Sequence, residues 1–214
     1  MSLLLQSPFT MLCSGTTSSG KTSFVKRLIR NADQMFREVP RAILYCYSSF
    51  QPTYASMEKE LNHISFKEGL PSRTDIEALS KQGSGLIVLD DLMSEVTNSN
   101  EMQRLFTQYS HHQNISVIFV SQNMYFGGRY GKTINLNSHY LVLFRNSNLS
   151  QIRILGQQLL PGESKLLTEA YRDATADRYG YLFIDLHPNN DRDLMLRTHI
   201  FPEEDMVLYQ KKST

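Results

Sequence analysis

The stretch "SGTTSSGKTS", residues 14–23, constrains this chain more than any other. It sets Gly15 and the run Gly20-Lys21-Thr22 in the spacing G-x-x-x-x-G-K-T. Such a loop works only where a buried strand runs into it and a helix starts behind it. Its backbone N–H groups then wrap a phosphate at the positive end of the helix. Both flanks fit. "PFTMLCSG" is a short apolar run ending in the loop. "KTSFVKRLIRN" puts Phe24, Val25, Leu28 and Ile29 at helical spacing, with Lys26, Arg27 and Arg30 mostly on the other face. A Ser/Thr-rich surface turn could match the letters by accident but would not bring these flanks with it. The candidate nucleotide-binding residues are therefore Gly15, Thr16, Thr17, Ser18, Ser19, Gly20, Lys21, Thr22 and Ser23. Lys21 is placed to reach the β- and γ-phosphates of a nucleotide, and the Thr22 hydroxyl to sit on Mg²⁺. The stretch "GGRYGKT" at 127–133 has similar letters, but it has the wrong glycine spacing and no buried strand before it.

The second carboxylate narrows the chemistry. "GLIVLDDLM" is a fully apolar strand, Leu86 to Leu89, that delivers Asp90 and Asp91 where it emerges. Asp90 is the candidate metal ligand with Thr22, and Asp91 the candidate that polarises an attacking water. An acidic turn after a strand is common by itself; beside a P-loop it reads as catalytic. Further on, Met102, Leu105, Phe106 and Tyr109 repeat at helical spacing, and "ISVIFVSQN" forms another buried strand ending in Ser121-Gln122-Asn123. In P-loop ATPases with an extra strand between the two Walker strands, a polar residue at this strand end senses the γ-phosphate. The Gln122 amide can both orient water and bond phosphate, with a plain strand cap as the alternative. His111 and His112 end the preceding helix and have no partner cluster near in sequence, so they read as polar helix-end residues. No N-K-x-D base-reading motif and no Arg-rich lid follow, which leaves a motor or switch ATPase.

Composition sets outer limits. At 214 residues, with 41% hydrophobic and 20% charged side chains, the chain fits a single P-loop ATPase domain over 1–214. A formal net charge of +1 provides no overall basic field, so any nucleic-acid contact has to be local. Cys13 and Cys46 lie in apolar strand-like runs and read as buried reduced thiols of an intracellular protein. The start "MSLLLQSPF" lacks the features of a signal peptide, no run is long enough for a membrane segment, and "YQKKST" reads as a frayed end.

Taken together, these motifs resemble the genome-packaging ATPases of the FtsK/HerA superfamily. The nearest likeness is to the poxvirus-type packaging ATPase of large DNA viruses, virophages and Polinton/Maverick elements. The resemblance covers most of the chain, through "GTTSSGKTS", "ILYCYSSFQPTY", "LIVLDDLM", "HHQNISVIFVSQNMYFGGRYGKTINLNSHYLVLFRN" and "QIRILGQQLLPG". It departs at Asp91, where many relatives in the wider superfamily carry Glu. It implies an ATP-driven translocase that forms a homo-oligomeric ring of five or six subunits and pushes double-stranded DNA into a preformed capsid. Capsid portal or vertex proteins would be further partners, at an assembly site in host cytoplasm or nucleus or in the virion. A non-translocating assembly switch or adaptor is the other reading. By the same resemblance Arg153 matches an arginine of the translocases and becomes the candidate trans-acting catalytic cation, ahead of Arg145 and Arg129. A solvated helix residue is the alternative for Arg153. "MYFGGRYGKT", which interleaves Tyr125, Phe126 and Tyr130 with Arg129 and Lys132, is either a DNA- or partner-facing loop or a subunit-packing loop.

The expected fold is α/β: a mostly parallel sheet sandwiched by helices, with antiparallel strands added at the C-terminal end. Strands are expected near 9–13, 42–47, 64–67, 85–90, 115–121 and 139–144. Two more are expected around the Asn-Asn-Asp turn of "YLFIDLHPNNDRDLMLRTHIF".

Overall fold

Side-chain alternation along one central strand explains the layering. In Gly85–Asp90, Leu86 and Val88 point to one face of the sheet and Ile87 and Leu89 to the other; all four are fully buried. A strand apolar on both faces has to be covered on both.

The computed structural model describes residues 4–124, 128–146 and 148–211. The chain begins with β1 (Thr10–Ser14), α1 (Lys21–Arg30), α2 (Ala32–Met35), β2 (Ala42–Tyr47), α3 (Pro52–Glu60) and β3 (Ile64–Glu68). It continues through α4 (Arg73–Ser80), β4 (Gly85–Asp90), α5 (Met93–Asn98), α6 (Asn100–Arg104), a π-helical stretch Leu105–Tyr109, α7 (Ser110–His112) and β5 (Ile115–Ser121). The last third holds α8 (Gly131–Leu136), β6 (Tyr140–Phe144), α9 (Leu149–Leu159), α10 (Ser164–Ala174), β7 (Tyr181–Asp185), a 3-10 turn Arg192–Leu194, β8 (Leu196–Thr198) and β9 (Val207–Leu208).

All nine described strands share one sheet, in the order β3-β2-β4-β5-β1-β6-β7-β8-β9. β1 to β6 pair in parallel; β7, β8 and β9 add antiparallel beyond β6. This is the expected α/β architecture of a P-loop NTPase, with the predicted strands in place to within a residue. β9 is additional. β5 lies between β1 and β4, so the strand that runs into Gln122 separates the P-loop strand from the Asp90 strand. The registers Ser14↔Ser121, Asp90↔Val120 and Ser14↔Leu143 bring the carboxyl ends of β4, β5, β1 and β6 into one row. In open α/β sheets that edge is where ligands sit.

α1 buries Phe24, Val25, Leu28 and Ile29, the four residues its spacing predicts, and carries Arg27 and Arg30 in its last turn, where cations oppose the helix dipole. The helix predicted through Met102, Leu105, Phe106 and Tyr109 forms, but a π turn interrupts it. The extra residue in that turn shifts the phase, so Ser110 is fully buried while Tyr109 is only half-buried. The C-terminal tail departs from its expected fraying up to Lys211. Tyr209 donates its N–H to the Leu196 carbonyl and its hydroxyl to Asp173, and Lys211 pairs with Glu163 at 2.8 Å. Residues 212–214 of "YQKKST" lie outside the described residues. Between β7 and β8 the buried Arg197 and Asp185 pair at 2.6 Å, with the guanidinium over Phe183.

Candidate functional site

The loop from Gly15 to Gly20 leaves β1 and enters α1, and two of its positions favour glycine strongly. A Cβ on Gly15 would lie 2.5 Å from Cβ of Phe144 on β6 and 2.8 Å from the Ser19 Oγ. Gly20 has φ of 104°, which side chains rarely adopt, and its missing Cβ faces the Tyr179 ring at 3.2 Å. Gly15 and Thr16 form the base of the loop. The Gly15 N–H donates to Ser121, and the Thr16 N–H and hydroxyl both donate to the Arg145 carbonyl. Thr17, Ser18, Ser19, Gly20, Lys21, Thr22 and Ser23 line a cleft of about 680 Å³.

Asp90, Asp91 and Gln122 line the same cleft, so the structure unites the motifs. Asp90 is 3% exposed at the end of β4. Three hydroxyls converge on its Oδ2: Tyr45 donates at 2.6 Å, Tyr54 at 3.2 Å and Thr22 at 3.3 Å. Among the described residues none donates to Oδ1. Burial pushes the Asp90 carboxyl above the usual carboxylate range, and the hydrogen bonds from Tyr45, Tyr54 and Thr22 pull it back part of the way. The Lys21 ammonium is folded over the loop, donating to the Gly15 carbonyl at 2.6 Å and the Thr16 carbonyl at 2.8 Å. Burial lowers its pKa, while Asp90 opposes the fall. Asp91 and Gln122 are both exposed, and the Gln122 Nε2 donates to the Asp91 Oδ1 at 3.3 Å. Asp91 is held at φ of 57°, with its N–H on the Val120 carbonyl.

The residues present fit a magnesium nucleotide. The Ser19 Oγ is buried inside the loop without a partner among the described residues, a polar atom suited to a phosphate oxygen. The Thr22 hydroxyl and the Asp90 carboxylate stand side by side as hard oxygen donors, the set that Mg²⁺ takes. Cys13, below the loop on β1, is fully buried, and burial pushes its thiol well above the usual range, so it is an inert core residue. The Cys46 thiol is likewise pushed up to about 12.

The arginines fall elsewhere. Arg153 is exposed on α9 and does not line the cleft. Its neighbour Ile152 is buried, while Ile154 is 46% exposed. Arg145 meets the loop through its carbonyl alone among the described contacts, and its side chain is exposed. In the Gly-Arg loop, the Tyr130 N–H donates to the Thr97 carbonyl and the Arg129 N–H to Asn98, which docks this segment on α5. Tyr125 and Phe126 of that loop lie outside the described residues. Among the described residues no His/Cys/Asp/Glu cluster forms a metal centre, and no helix is long and apolar enough to cross a membrane.

Sequence reasoning did not find Tyr45 and Tyr54. Both lie in "ILYCYSSFQPTY", where nothing local points 45 and 36 residues ahead to Asp90. It also missed the far wall of the cleft, made of Phe24 and Arg27 from α1, Phe144 from β6, and Tyr179, Tyr181 and Phe201.

A family model described as Poxvirus A32 protein matches residues 1–168. The chain belongs to that family. The resemblance to poxvirus-type packaging ATPases carried by the sequence motifs is borne out. No curated protein matches the chain. Solved structures of B204, the genome packaging NTPase of Sulfolobus turreted icosahedral virus 2, share the fold. The complex with ATP-gammaS is 10% identical with a TM-score of 0.58, the alignment covering 96% of this chain and 98% of that one. The AMPPCP complex is 9% identical with a TM-score of 0.55, over 95% and 97%. B204 described as the DNA-packaging ATPase of Sulfolobus turreted icosahedral virus is 9% identical with a TM-score of 0.56, over 97% and 100%.

Proposed function

We propose that this member of the poxvirus A32 family is an ATPase that drives double-stranded viral DNA into a preformed capsid. It would work as a homo-oligomeric ring of five or six subunits that docks on capsid portal or vertex proteins, inside the host cell at the assembly site or in the virion. The observation that carries the ATPase reading is the Thr22–Asp90 pair under the P-loop, with Asp91 and Gln122 in contact beside it. Bound Mg²⁺, held by Thr22 and Asp90, would neutralise charge on the phosphates. Lys21 would exchange its two loop carbonyls for phosphate oxygens. Asp91 would take the proton of the attacking water, and Gln122, bonded to Asp91 through its NH₂, keeps its carbonyl to orient that water. A phosphate that gains charge during transfer is stabilised by a cation. Arg153, exposed and away from its own cleft, would supply that cation to a neighbouring subunit. Family membership and the fold shared with B204 support this reading.

The net charge of +1 favours a different reading, an assembly switch that binds a protein and not DNA. The deciding measurement is ATP turnover of the assembled protein with and without double-stranded DNA. A rise on adding DNA is expected, and no rise in an assembled oligomer would favour the switch. For Arg153, mixed Lys21→Ala and Arg153→Ala subunits should recover part of the activity that each lacks alone. Full activity of an Arg153→Ala oligomer would move the trans-acting role to another residue.

A further inference from the structure

The cleft has two ends, and the sheet order tells them apart. On the β4/β5 side of β1 stand Asp90, Asp91 and Gln122, the hydrolytic end. On the β6/β7 side the cleft continues with no carboxylate among the described residues of its wall, and its lining is aromatic: Phe144, Tyr181, Phe201 and Tyr179, with Phe24 and Arg27 from α1. Most of these rings are committed to each other. Phe24 meets Phe144, Tyr181 and Phe201 edge-on with centroids 4.9–5.8 Å apart, and the Arg27 guanidinium lies 3.9 Å over Phe201. Glu203 and Glu204 hold Arg27 there at 2.6 Å each. Tyr179 differs. It is 56% exposed, and it stands directly over Gly20. Its one aromatic or cationic contact among those described is Arg178, 5.2 Å from its centroid.

From this geometry we infer that the β6/β7 end is the base subsite and that Tyr179 stacks on the purine ring of the nucleotide. The inference deepens the P-loop reading and rests on it. A triphosphate threaded through the loop with its terminal phosphate at Asp90 and Gln122 has to leave the loop on the other side of β1. The first open aromatic face there is Tyr179. A flat π surface with Arg178 behind it accepts a base by stacking and is indifferent to hydrogen-bond pattern, so it grips any purine. Phe24, Arg27 and Phe201 form a packed floor that keeps water from the other side. The family model ends at residue 168, so family membership makes no statement about Tyr179, Tyr181 or Phe201.

The test compares ATP with tripolyphosphate, which fills the loop and has no base. Tyr179→Ala should weaken ATP binding about tenfold, the scale of one lost base–aromatic stack, and leave tripolyphosphate affinity within about twofold of wild type. Tyr179→Phe should bind ATP as wild type does. Because the ring is exposed, the far-UV spectrum and melting midpoint of Tyr179→Ala should match wild type. Unchanged ATP affinity in Tyr179→Ala overturns the inference. So does equal loss of both ligands, which would make Tyr179 a support for the Gly20 turn. Lys21→Ala separates the two readings, since it should lose both ligands. A chain in which Lys21→Ala fails to bind and Tyr179→Ala binds normally keeps the P-loop and loses only the base subsite.

Discussion

The acid end and the aromatic end of the cleft are built by opposite strategies. At the acid end, Asp91 and Gln122 are exposed and sit at the tips of buried strands, so the chemistry projects from a core that does not need it. At the aromatic end, Phe24, Phe144, Tyr181 and Phe201 are themselves core, between 2% and 5% exposed, and only Tyr179 stands clear. Asp91 and Gln122 can be altered without touching the fold; the four packed rings cannot. Substitutions at the two ends should therefore fail in different assays.

The largest effect should come from the residue both ends share. Lys21→Ala removes the cation that the loop itself contributes to the cleft, and kcat/KM for ATP should fall by about 1000-fold or more. Near-normal turnover in the folded variant would remove the P-loop assignment altogether. Next is Phe201→Ala, which strips a buried ring from beneath Arg27 and should cost about 3 kcal/mol of stability, or roughly 6–12 °C in Tm for a chain of this size. Unchanged melting would mean the aromatic end is a lining and not a core. Asp91→Asn should do the reverse: turnover down about 100-fold, with melting and ATP affinity unchanged. If Asp91→Asn hydrolyses ATP normally, Gln122 becomes the residue to test as the water-activating group.

The smallest effect belongs to a control remote from both ends. Asp75 completes a capping box with Ser72 at the start of α4, and Lys67 first, then Ser72, hold its carboxyl down at about 2. A depressed folded pKa adds stability above the ordinary Asp value of about 3.9, and that stability disappears as pH falls toward the folded value. Asp75→Asn should lower stability by about 1 kcal/mol at neutral pH, after allowance for a partly exposed pair. The gap from wild type should narrow steadily as pH falls from about 4 toward 2. A gap that does not narrow would assign the loss to helix packing in place of the charge.

What was legible in the sequence was local. The P-loop, α1 and the paired acids are each contained in about ten residues, and the period of apolar side chains places them on a strand end or a helix start. Gln122 was legible for the same reason. Tyr45 and Tyr54 were not, because a hydroxyl on β2 or α3 reaches Asp90 only once the sheet has put β2 beside β4. The aromatic wall draws on residues from Phe24 to Phe201 and depends on β7 returning antiparallel next to β6. The tail was misread because its polar letters hide a set of long-range bonds: Tyr209 to Leu196 and Asp173, Gln210 to Asp193, and Lys211 to Glu163.

The left-handed backbone at Asp91 restricts its own mutational neighbourhood. Outside glycine, that conformation is adopted most easily by Asp and Asn, whose short side chains bond locally to the backbone. Glu keeps the charge but adds a methylene and lacks the short side chain that suits this conformation. It would also carry the carboxylate past the Gln122 amide that now holds it. Asn keeps the backbone and gives up the proton acceptor. Each of the two nearest chemical neighbours thus preserves one requirement and breaks the other. Under the role proposed for Asp91, only Asp meets both requirements at this turn.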